Sequence, residues 1–343
     1  MKRITVLTGG STPERHVALA GAAQVVRALR GLGHVVTIVD TVDGPLDEAS
    51  ERAMLESSVG RDPPTLEELS HLAARERPEL LPTLPELRET ELVFLVLHGQ
   101  QGEGGEIQAL LDLTGIPYTG SGPLGSAVAM DKDVAKRLLT AAGVPTPEWQ
   151  MWPLAEWEES QLEFPVIVKP SKVGSSVGLS VVRAEADLVA AVELAERYDR
   201  EVMLERYIDG REFTVGVLNE KALAVGEIIP QHETFDYECK YTPGMTEEVF
   251  PAVISDELAV QLRDLAERTH RALKLREFSR VDFRVDQTGT PWVLEANTLP
   301  GLTGTSLLPQ SAAACGIDFA ALCDTICSGA LQRAREQTGP PKQ

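Results

Sequence analysis

The sequence is poor in cysteine and contains no long hydrophobic run. Four cysteines occur in 343 residues without a C-x-x-C pair, which argues against a disulfide framework or a zinc site and favours a reducing cytosol. No apolar stretch approaches the roughly 18 residues of a membrane-spanning helix, and the first apolar run is too short for a secretion signal. The sequence therefore predicts a soluble, cytoplasmic protein without a membrane partner.

Basic residues are also scarce relative to acidic ones. The chain has 32 lysines and arginines against 52 aspartates and glutamates, a formal charge of -20. Such a charge opposes broad attraction to nucleic acid or anionic lipid, so a nucleic-acid-binding role is disfavoured. A phosphorylated ligand would have to be held by a local cluster of lysines, glycine amides and metal ions.

Hydrophobic periodicity predicts that the chain begins with an α/β domain. A strand, a glycine turn, a helix at about 15–32 and a second strand open the chain, and a further strand follows at 92–97. This order predicts a parallel, Rossmann-like sheet in residues 1–125. An acidic, proline-bearing excursion interrupts the domain at 44–90.

The remainder of the chain predicts an α+β organisation. A helical pattern runs from 126 to 142, and short β-branched strands then alternate with a single helix, which is typical of antiparallel pairing. The chain has 343 residues, of which 43% are hydrophobic, so it is long enough for more than one domain. The predicted units are a central subdomain at 126–205, a C-terminal domain at 206–333 and a flexible tail at 334–343.

A glycine-rich loop follows a buried strand in the segment FPVIVKPSKVGSSVGLSVV, residues 164–182. Lys169 lies at the end of the strand, and the loop 174–178 comes next. Glycine lets a backbone approach an anion, while amides, hydroxyls and lysine can hold phosphate oxygens. The loop is not a Walker A motif. From these residues alone, an exposed hairpin turn with a surface lysine is an equally good interpretation.

Residues 277–301 predict a β-hairpin with the turn D-Q-T-G. A symmetric loop there would pair Asp282 with Val293 and Arg280 with Glu295. Period-two alternation then separates the side chains into two faces. The apolar face takes Val281, Phe283, Val285, Trp292, Leu294 and Ala296. The polar face takes Arg280, Asp282, Glu295 and Asn297.

The polar face of this hairpin has the ligand chemistry of a magnesium site. Magnesium prefers hard oxygen ligands and shares them with water and substrate phosphates, so two carboxylates and an amide carbonyl suit it. Arg280 adds a planar cation for a phosphoryl group. A solvated hairpin with a surface ion pair is the alternative, but it does not explain the phosphate-type loop upstream.

Several motifs together resemble the D-alanine–D-alanine ligase family of the ATP-grasp superfamily over nearly the whole chain. They are GGSTPER (9–15), HGQQGEGGEIQ (98–108), GIPYTGSG (115–122), AMDK (129–132), VIVKPSKVGSSVG (166–178), CKY (239–241) and LEANTLPGLTGTSL (294–307). The resemblance implies a three-domain ATP-grasp fold and a homodimer. It also implies ATP-dependent ligation of two D-alanines through an acyl phosphate, for peptidoglycan precursors, with two Mg2+ or Mn2+ ions per site.

Matched position by position, the resemblance also implies the role of individual residues. The ATP-binding residues would be Lys132, Lys169, Ser176, Glu205, Ile208, Glu212 and Lys240. The metal ligands would be Asp282, Glu295 and Asn297. The catalytic residues would be Glu14, Ser175, Tyr241 and Arg280. The D-alanine-binding residues would be Glu14, Gly301, Ser306 and Leu307.

Two other functions fit parts of the sequence. A ligase of the same fold could use D-lactate, D-serine or another amino acid as acceptor, although Tyr241 favours an amine over D-lactate. A catalytically silent nucleotide-binding regulator is the alternative from another class of protein. The intact set of Lys169, Asp282, Glu295 and Asn297 disfavours the regulator.

Overall fold

A parallel sheet begins the fold of this computed structural model, which describes residues 1–59, 64–153, 162–232, 235, 239, 242 and 244–338. The first sheet has the order β3-β2-β1-β4. Its strands are β1 (Arg3–Thr8), β2 (Val35–Asp40), β3 (Gly44–Pro45) and β4 (Leu92–Leu95). β2 and β4 flank β1 in parallel, as the sequence predicts, and only the short β3 is antiparallel. The residues of β1 and β4 are almost continuously buried because both faces of the sheet are covered.

Helices cover this sheet and account for most of the acidic excursion. They are α1 (Arg15–Gly31), α2 (Glu48–Leu55), α3 (Leu66–Ala73), α4 (Pro85–Arg88), α5 (Gly99–Glu103) and α6 (Glu106–Thr114), with a 3-10 segment at Pro78–Thr83. The excursion predicted at 44–90 thus contains regular structure. Thr65 caps α3 with a capping box that its Glu68 completes, which shows how the polar residues of this stretch start its helices.

The segment predicted as one helix at 126–142 is two helices, α7 (Pro123–Met130) and α8 (Lys132–Ala141). Asp131 separates them with an extended backbone, φ -80° and ψ 99°, and its side chain accepts a hydrogen bond from the Val134 N–H. The prediction of a single helix was therefore wrong. The apolar period continues across the cap, which is why periodicity did not reveal the break. The break makes Lys132 the first residue of α8.

The central sheet is antiparallel, with the order β5-β8-β6-β7. Its strands are β5 (Trp149–Trp152), β6 (Val166–Pro170), β7 (Ser180–Val182) and β8 (Val202–Arg206). On one face, Val168 and Leu204 pack against α9 (Leu188–Glu196). The alternate residues of β6 and β8 consequently point to the other face, towards the third sheet.

The third sheet is antiparallel, with the order β11-β10-β9-β12-β13. Its strands are β9 (Gly210–Leu218), β10 (Lys221–Pro230), β11 (Thr246–Val249), β12 (Phe278–Asp286) and β13 (Pro291–Asn297). The helices around it are α10 (Asp256–Ala272), α11 (Leu307–Ala313) and α12 (Phe319–Thr338). α8 and α10 pack on one face of this sheet. Among the described residues, no helix is long and apolar enough to cross a bilayer.

The last helix, α12, belongs to the first core rather than to the third sheet alone. Its side chains Leu322, Cys323 and Ile326 are fully buried in the same cluster as Ile4 and Leu95. The chain thus returns to its N-terminal domain and ties the two ends of the molecule together. The predicted domain boundaries at 125, 205 and 333 stay predictions.

The β12–β13 hairpin has a different register from the predicted one. The observed pairs are Arg280–Asn297, Asp282–Glu295 and Phe283–Val293. A bulge leaves Leu294 as an extra residue, so Val293 points into the core, while Leu294 lines a cleft and Trp292 packs beneath Arg206. Both predicted cross-strand pairs were therefore wrong, as were the predicted faces of Trp292 and Leu294.

Candidate active site

A cleft of about 890 Å³, its open mouth included, lies between the central and third sheets. β6 and β8 form one wall, and β9, β12 and β13 form the other, so strand alternation decides which side chains enter it. Six of the predicted ATP-binding residues line this cleft: Lys132, Lys169, Ser176, Glu205, Ile208 and Glu212.

A buried carboxylate between two lysines lies in the wall formed by the central sheet. Lys169 Nζ donates to Glu205 Oε1 at 2.6 Å, and Lys136 Nζ donates to Glu205 Oε2 at 2.5 Å. Burial alone would raise the pKa of Glu205, but the charges of Lys136 and Lys169 outweigh it and lower that pKa. Burial lowers the pKa of Lys136 to about 8. Sequence analysis missed Lys136, although it follows Lys132 by four residues on one helix.

The opposite wall carries two further residues that sequence analysis missed. The register places Arg284 opposite Glu212 and Asp282 opposite Thr214. Arg284 Nη2 contacts Glu212 Oε2 at 3.1 Å, and Thr214 Oγ1 donates to Asp282 Oδ1 at 2.7 Å. The period-two pattern of β12 already placed Arg284 on the face of Asp282, so that signal was present in the sequence.

The four polar residues predicted on the hairpin do converge. Arg280 donates twice to Asp282, at 2.9 and 2.7 Å, and Asn297 Nδ2 donates to Asp282 Oδ2 at 3.0 Å. Glu295 Oε2 lies 3.4 Å from Lys132 Nζ. Relative to the predicted register, Glu295 lies opposite Asp282 and Asn297 opposite Arg280, a shift of two residues that keeps both side chains on the predicted face.

The donor set of the hairpin fits a hard divalent cation. Asp282 and Glu295 offer carboxylate oxygens, and Asn297 offers an amide oxygen. Within the described ranges, no group of three His, Cys, Asp or Glu side chains could hold a metal ion by itself. Two carboxylates with one amide leave coordination positions for water and for phosphate oxygens, which is how magnesium is usually bound beside nucleotides.

A second cleft, of about 1310 Å³ with its mouth, adjoins the first. Gly174 and Phe235 line both clefts, so the glycine-rich loop forms the partition between them. The predicted catalytic and substrate-binding residues that line the second cleft are Glu14, Ser175, Arg280, Gly301, Ser306 and Leu307. Lys240 and Tyr241, the other two predicted residues, lie outside the described residues.

The glycine-rich loop is joined to the N-terminal domain by a hydrogen bond. Ser175 Oγ donates to Glu14 Oε1 at 2.5 Å, and Ser176 Oγ donates to the Phe235 carbonyl at 2.9 Å. Ser175 and Ser176 have φ of 53° and 56°, left-handed conformations that strain a residue other than glycine. Hydrogen bonds from the two serines to two different partners, Glu14 and the Phe235 carbonyl, therefore hold the loop in an unfavourable conformation.

Glu14 is held in place by the structure around its neighbour Arg15. Arg15 is buried, pairs with Asp40 at 2.7 Å and donates to the Gly10 carbonyl at 2.9 Å. Gly9 has φ 98°, and a Cβ there would lie 2.3 Å from Asp40 Oδ1, so only glycine fits. These contacts fix the start of α1, where Glu14 is the N-cap residue.

Two ionisable groups support the second cleft, the half-buried Glu103 and the buried His98. Glu103 accepts backbone hydrogen bonds from Gly99 at 3.1 Å and Leu299 at 3.2 Å. Burial, and then the charge of Glu14, raises the pKa of Glu103 to about 7. Burial lowers the pKa of His98, which favours a neutral ring. Glu103 lies within the motif at 98–108, but the sequence alone predicts no role for it.

Comparison with known proteins identifies what the chain resembles. Two family models match it, described as D-ala D-ala ligase N-terminus over residues 3–121 and D-ala D-ala ligase C-terminus over 138–328. A D-alanine–D-alanine ligase of Synechococcus sp. (strain JA-2-3B'a(2-13)) is 39% identical over 339 residues, covering 97% of this chain and 94% of the relative.

Solved structures agree with the sequence relatives. The crystal structure of D-alanine–D-alanine ligase from Bacillus anthracis complexed with ATP has a TM-score of 0.78 and 28% identity, covering 98% of this chain and 100% of that one. The VanG D-Ala:D-Ser ligase from Enterococcus faecalis has a TM-score of 0.78 and 28% identity, with coverage of 95% and 98%. These likenesses confirm the predicted ATP-grasp fold.

Proposed function

This chain belongs to the D-alanine–D-alanine ligase family, and from that premise we propose that it joins two D-alanines into D-alanyl-D-alanine, converting ATP to ADP and phosphate, for peptidoglycan precursors. One observation carries the proposal. The first cleft carries lysines that can bind phosphate groups, and the second carries Glu14, a carboxylate that can bind an ammonium group. The two clefts adjoin along the glycine-rich loop, and the β12–β13 hairpin with its oxygen donors lies beside both.

In this proposal the first cleft binds ATP. Lys132 and Lys169 contact its phosphates, and the loop 174–178, which includes Ser176, closes over them. Lys240 is assigned to the same phosphates from its position in the sequence. The residues around the adenosine are Glu205, Ile208 and Glu212.

Asp282, Glu295 and Asn297 are proposed to hold two Mg2+ or Mn2+ ions. When bound, these ions neutralise charge on the transferring phosphoryl group. Arg280, which lies against Asp282, adds a planar cation at the junction of the two clefts.

The second cleft is proposed to bind the two amino acids. Glu14 receives the ammonium of the first D-alanine, and Gly301, Ser306 and Leu307 receive the carboxylate of the second. Ser175, Tyr241 and Glu14 are proposed to form a hydrogen-bonded set that closes the loops over this cleft. The hydrogen bond between Ser175 and Glu14 supports the part of this proposal that concerns those two residues. A closed loop excludes the water that would hydrolyse a reactive intermediate.

The reaction requires activation of a carboxylate, which is a poor electrophile. A carboxylate oxygen of the first D-alanine attacks the γ-phosphorus of ATP, ADP leaves, and an acyl phosphate forms. The second D-alanine, after its ammonium loses a proton, attacks the acyl carbon, and phosphate leaves. Arg280 and backbone amides stabilise the oxyanion that forms in this step. Positioning and charge therefore suffice, and no serine or cysteine nucleophile is needed.

The test is release of ADP by the purified protein with ATP and Mg2+, in the presence of D-alanine alone or of D-alanine together with D-serine, D-lactate or L-alanine, with each product identified by mass. D-alanine should stimulate ADP release and yield the dipeptide. ADP release that D-alanine leaves unchanged would contradict the proposal and favour a nucleotide-binding regulator. If D-alanyl-D-serine is made in preference to D-alanyl-D-alanine, the result would favour the activity named for the Enterococcus relative.

Two features of the molecule as a whole complete the proposal. A homodimer is the expected assembly, and light scattering on the eluted protein measures it directly. A cytoplasmic location is also proposed, because ATP is consumed and the cysteines are free thiols in the described structure.

A further inference from the structure

Lys136 lies behind the nucleotide cleft and does not line it. Its side chain is 1% exposed, and its Nζ donates to Glu205 Oε2 at 2.5 Å and to Thr146 Oγ1 at 2.7 Å. Nζ also lies 5.2 Å from the centre of the Trp149 ring. Two hydrogen bonds and a cation–π contact thus engage the ammonium on three sides. Buried in this way, Lys136 is not available to a phosphate group.

Lys169 differs from Lys136 although both contact Glu205. Lys169 lines the cleft at the end of β6, where the glycine-rich loop begins, and its Nζ is 2.6 Å from Glu205 Oε1. Phosphate oxygens in the cleft would compete with Glu205 for this ammonium. Glu205, with its side chain 3% exposed, would then depend on Lys136 for its counter-charge.

We propose that Lys136 is a positioning residue, whose ammonium holds Glu205 as a carboxylate in the cleft and thereby selects a purine that carries an exocyclic amino group. This inference rests on the proposed function, which assigns Glu205 to the adenosine. The base of ATP presents an N–H donor at carbon 6, where the base of ITP presents a carbonyl oxygen. An ionised carboxylate accepts from the first and repels the second.

The charged groups that face this cluster show why Lys136 matters. Lys136 enters from α8 and Lys169 from β6, while Glu148 lies at the rim, where it pairs with Arg206 at 3.1 Å. Without Lys136, burial would favour the protonated form of Glu205 once Lys169 has turned to the phosphates. A protonated carboxyl donates a hydrogen bond, which suits the carbonyl of ITP better than the amine of ATP.

The test compares ATP with ITP in the dipeptide-forming assay, using wild type, Lys136→Met and Lys136→Arg. Lys136→Met should raise KM for ATP roughly 10- to 100-fold, the usual effect of a lost charge-assisted hydrogen bond, with kcat and KM for D-alanine nearly unchanged. The preference for ATP over ITP should fall, most strongly at low pH. Lys136→Arg keeps the charge and should retain part of the preference. Lys221→Met, at an exposed lysine, is the matched control.

The outcomes separate this inference from the function on which it rests. A wild-type protein that makes no dipeptide refutes the proposed function before any variant is compared. An active Lys136→Met protein with lower thermal stability, but with the wild-type KM for ATP and ATP-to-ITP ratio, makes Lys136 merely structural and overturns the inference.

A second comparison applies if Lys136→Met does not fold. In a Glu205→Gln background no carboxylate remains to be held, so adding Lys136→Met should change KM for ATP by no more than about twofold. A further rise on the order of tenfold in the double variant would show that Lys136 acts independently of Glu205 and would overturn the inference.

Discussion

Each cleft of this molecule contains a largely buried glutamate, and the two glutamates have opposite electrostatic surroundings. Glu205, in the nucleotide cleft, lies between the ammonium groups of Lys136 and Lys169, which lower its pKa against the effect of burial. Glu103, beside the amino-acid cleft, accepts two backbone N–H groups and lies near Glu14, and its pKa rises to about 7. Burial is common to both glutamates, so the neighbouring charges decide their protonation.

This difference matches the ligands proposed for the two clefts. The nucleotide cleft is lined by four cations and four carboxylates, namely Lys132, Lys169, Arg206, Arg284, Glu205, Glu212, Asp282 and Glu295. The amino-acid cleft is lined by three carboxylates, Glu14, Glu103 and Glu248, and by Arg280. A triphosphate is drawn to the cations of the first cleft and an ammonium group to the carboxylates of the second. In a chain with a net charge of -20, a polyanion can bind at this cleft because its lysines, together with the proposed metal ions on Asp282 and Glu295, offset the carboxylates locally.

The largest effect is expected where the two clefts meet, at the hairpin carboxylates. Glu295→Gln removes one proposed metal ligand and should lower kcat/KM on the order of 10³-fold, because metal neutralisation of a transferring phosphoryl group is worth several kcal/mol. The measurement is ADP release across a range of Mg2+ concentrations. Asp264→Asn, on the exposed side of α10, is the control. Activity equal to wild type in Glu295→Gln would contradict the assignment of Glu295 as a metal ligand. The hairpin would then not be a metal site shared by the two clefts.

The next prediction concerns Glu103 and pH. Because its folded-state pKa of about 7 exceeds the ordinary value of 4.5, the native protein keeps a proton that the unfolded chain loses. The contribution of Glu103 to stability therefore falls as pH rises through that window. Glu103→Gln removes this dependence, so its unfolding free energy relative to wild type should improve by up to about 3 kcal/mol between pH 4.5 and pH 8.

Urea unfolding at several pH values measures this difference, and Glu106→Gln, exposed at the start of α6, is the control. A constant offset between the Glu103→Gln and wild-type curves would mean that Glu103 is ionised throughout. The two glutamates would then not differ in protonation, and the comparison between the clefts would fail.

Much of the fold follows from local patterns, and its exceptions come from single residues. The apolar runs of β1 and β2 and the periodicity of α1 predicted those elements to within a few residues. The cap at Asp131 interrupts a helical pattern whose apolar period continues, so periodicity could not find the break. The bulge at Leu294 arises where β13 borders a cleft, and a bulge of this kind has no signature in alternation.

The site was predictable where its residues lie in motifs and unpredictable where they act through distant partners. The predicted residues that the structure describes line one cleft or the other, or the junction between them. The alternation of β12 indicated the face of Arg284, but its partner Glu212 is 72 positions away, and the partner of Lys136, Glu205, is 69 positions away. A sequence shows which lysines a helix carries, but only packing decides which of them is buried against a carboxylate.

The smallest effect should separate two adjacent serines of the loop between the clefts. Ser175→Ala removes the hydrogen bond to Glu14, so KM for D-alanine should rise up to about tenfold, with KM for ATP unchanged. Ser176 lines the nucleotide cleft, so Ser176→Ala, which removes its hydrogen bond to the Phe235 carbonyl, should raise KM for ATP instead. Both residues have the same left-handed backbone, and alanine keeps the Cβ that strains it, so backbone strain is common to the two variants and cannot produce the contrast. Steady-state kinetics with each substrate varied in turn measures both effects. Equal shifts of the two KM values in both variants would mean that the loop responds as one unit and does not divide the clefts.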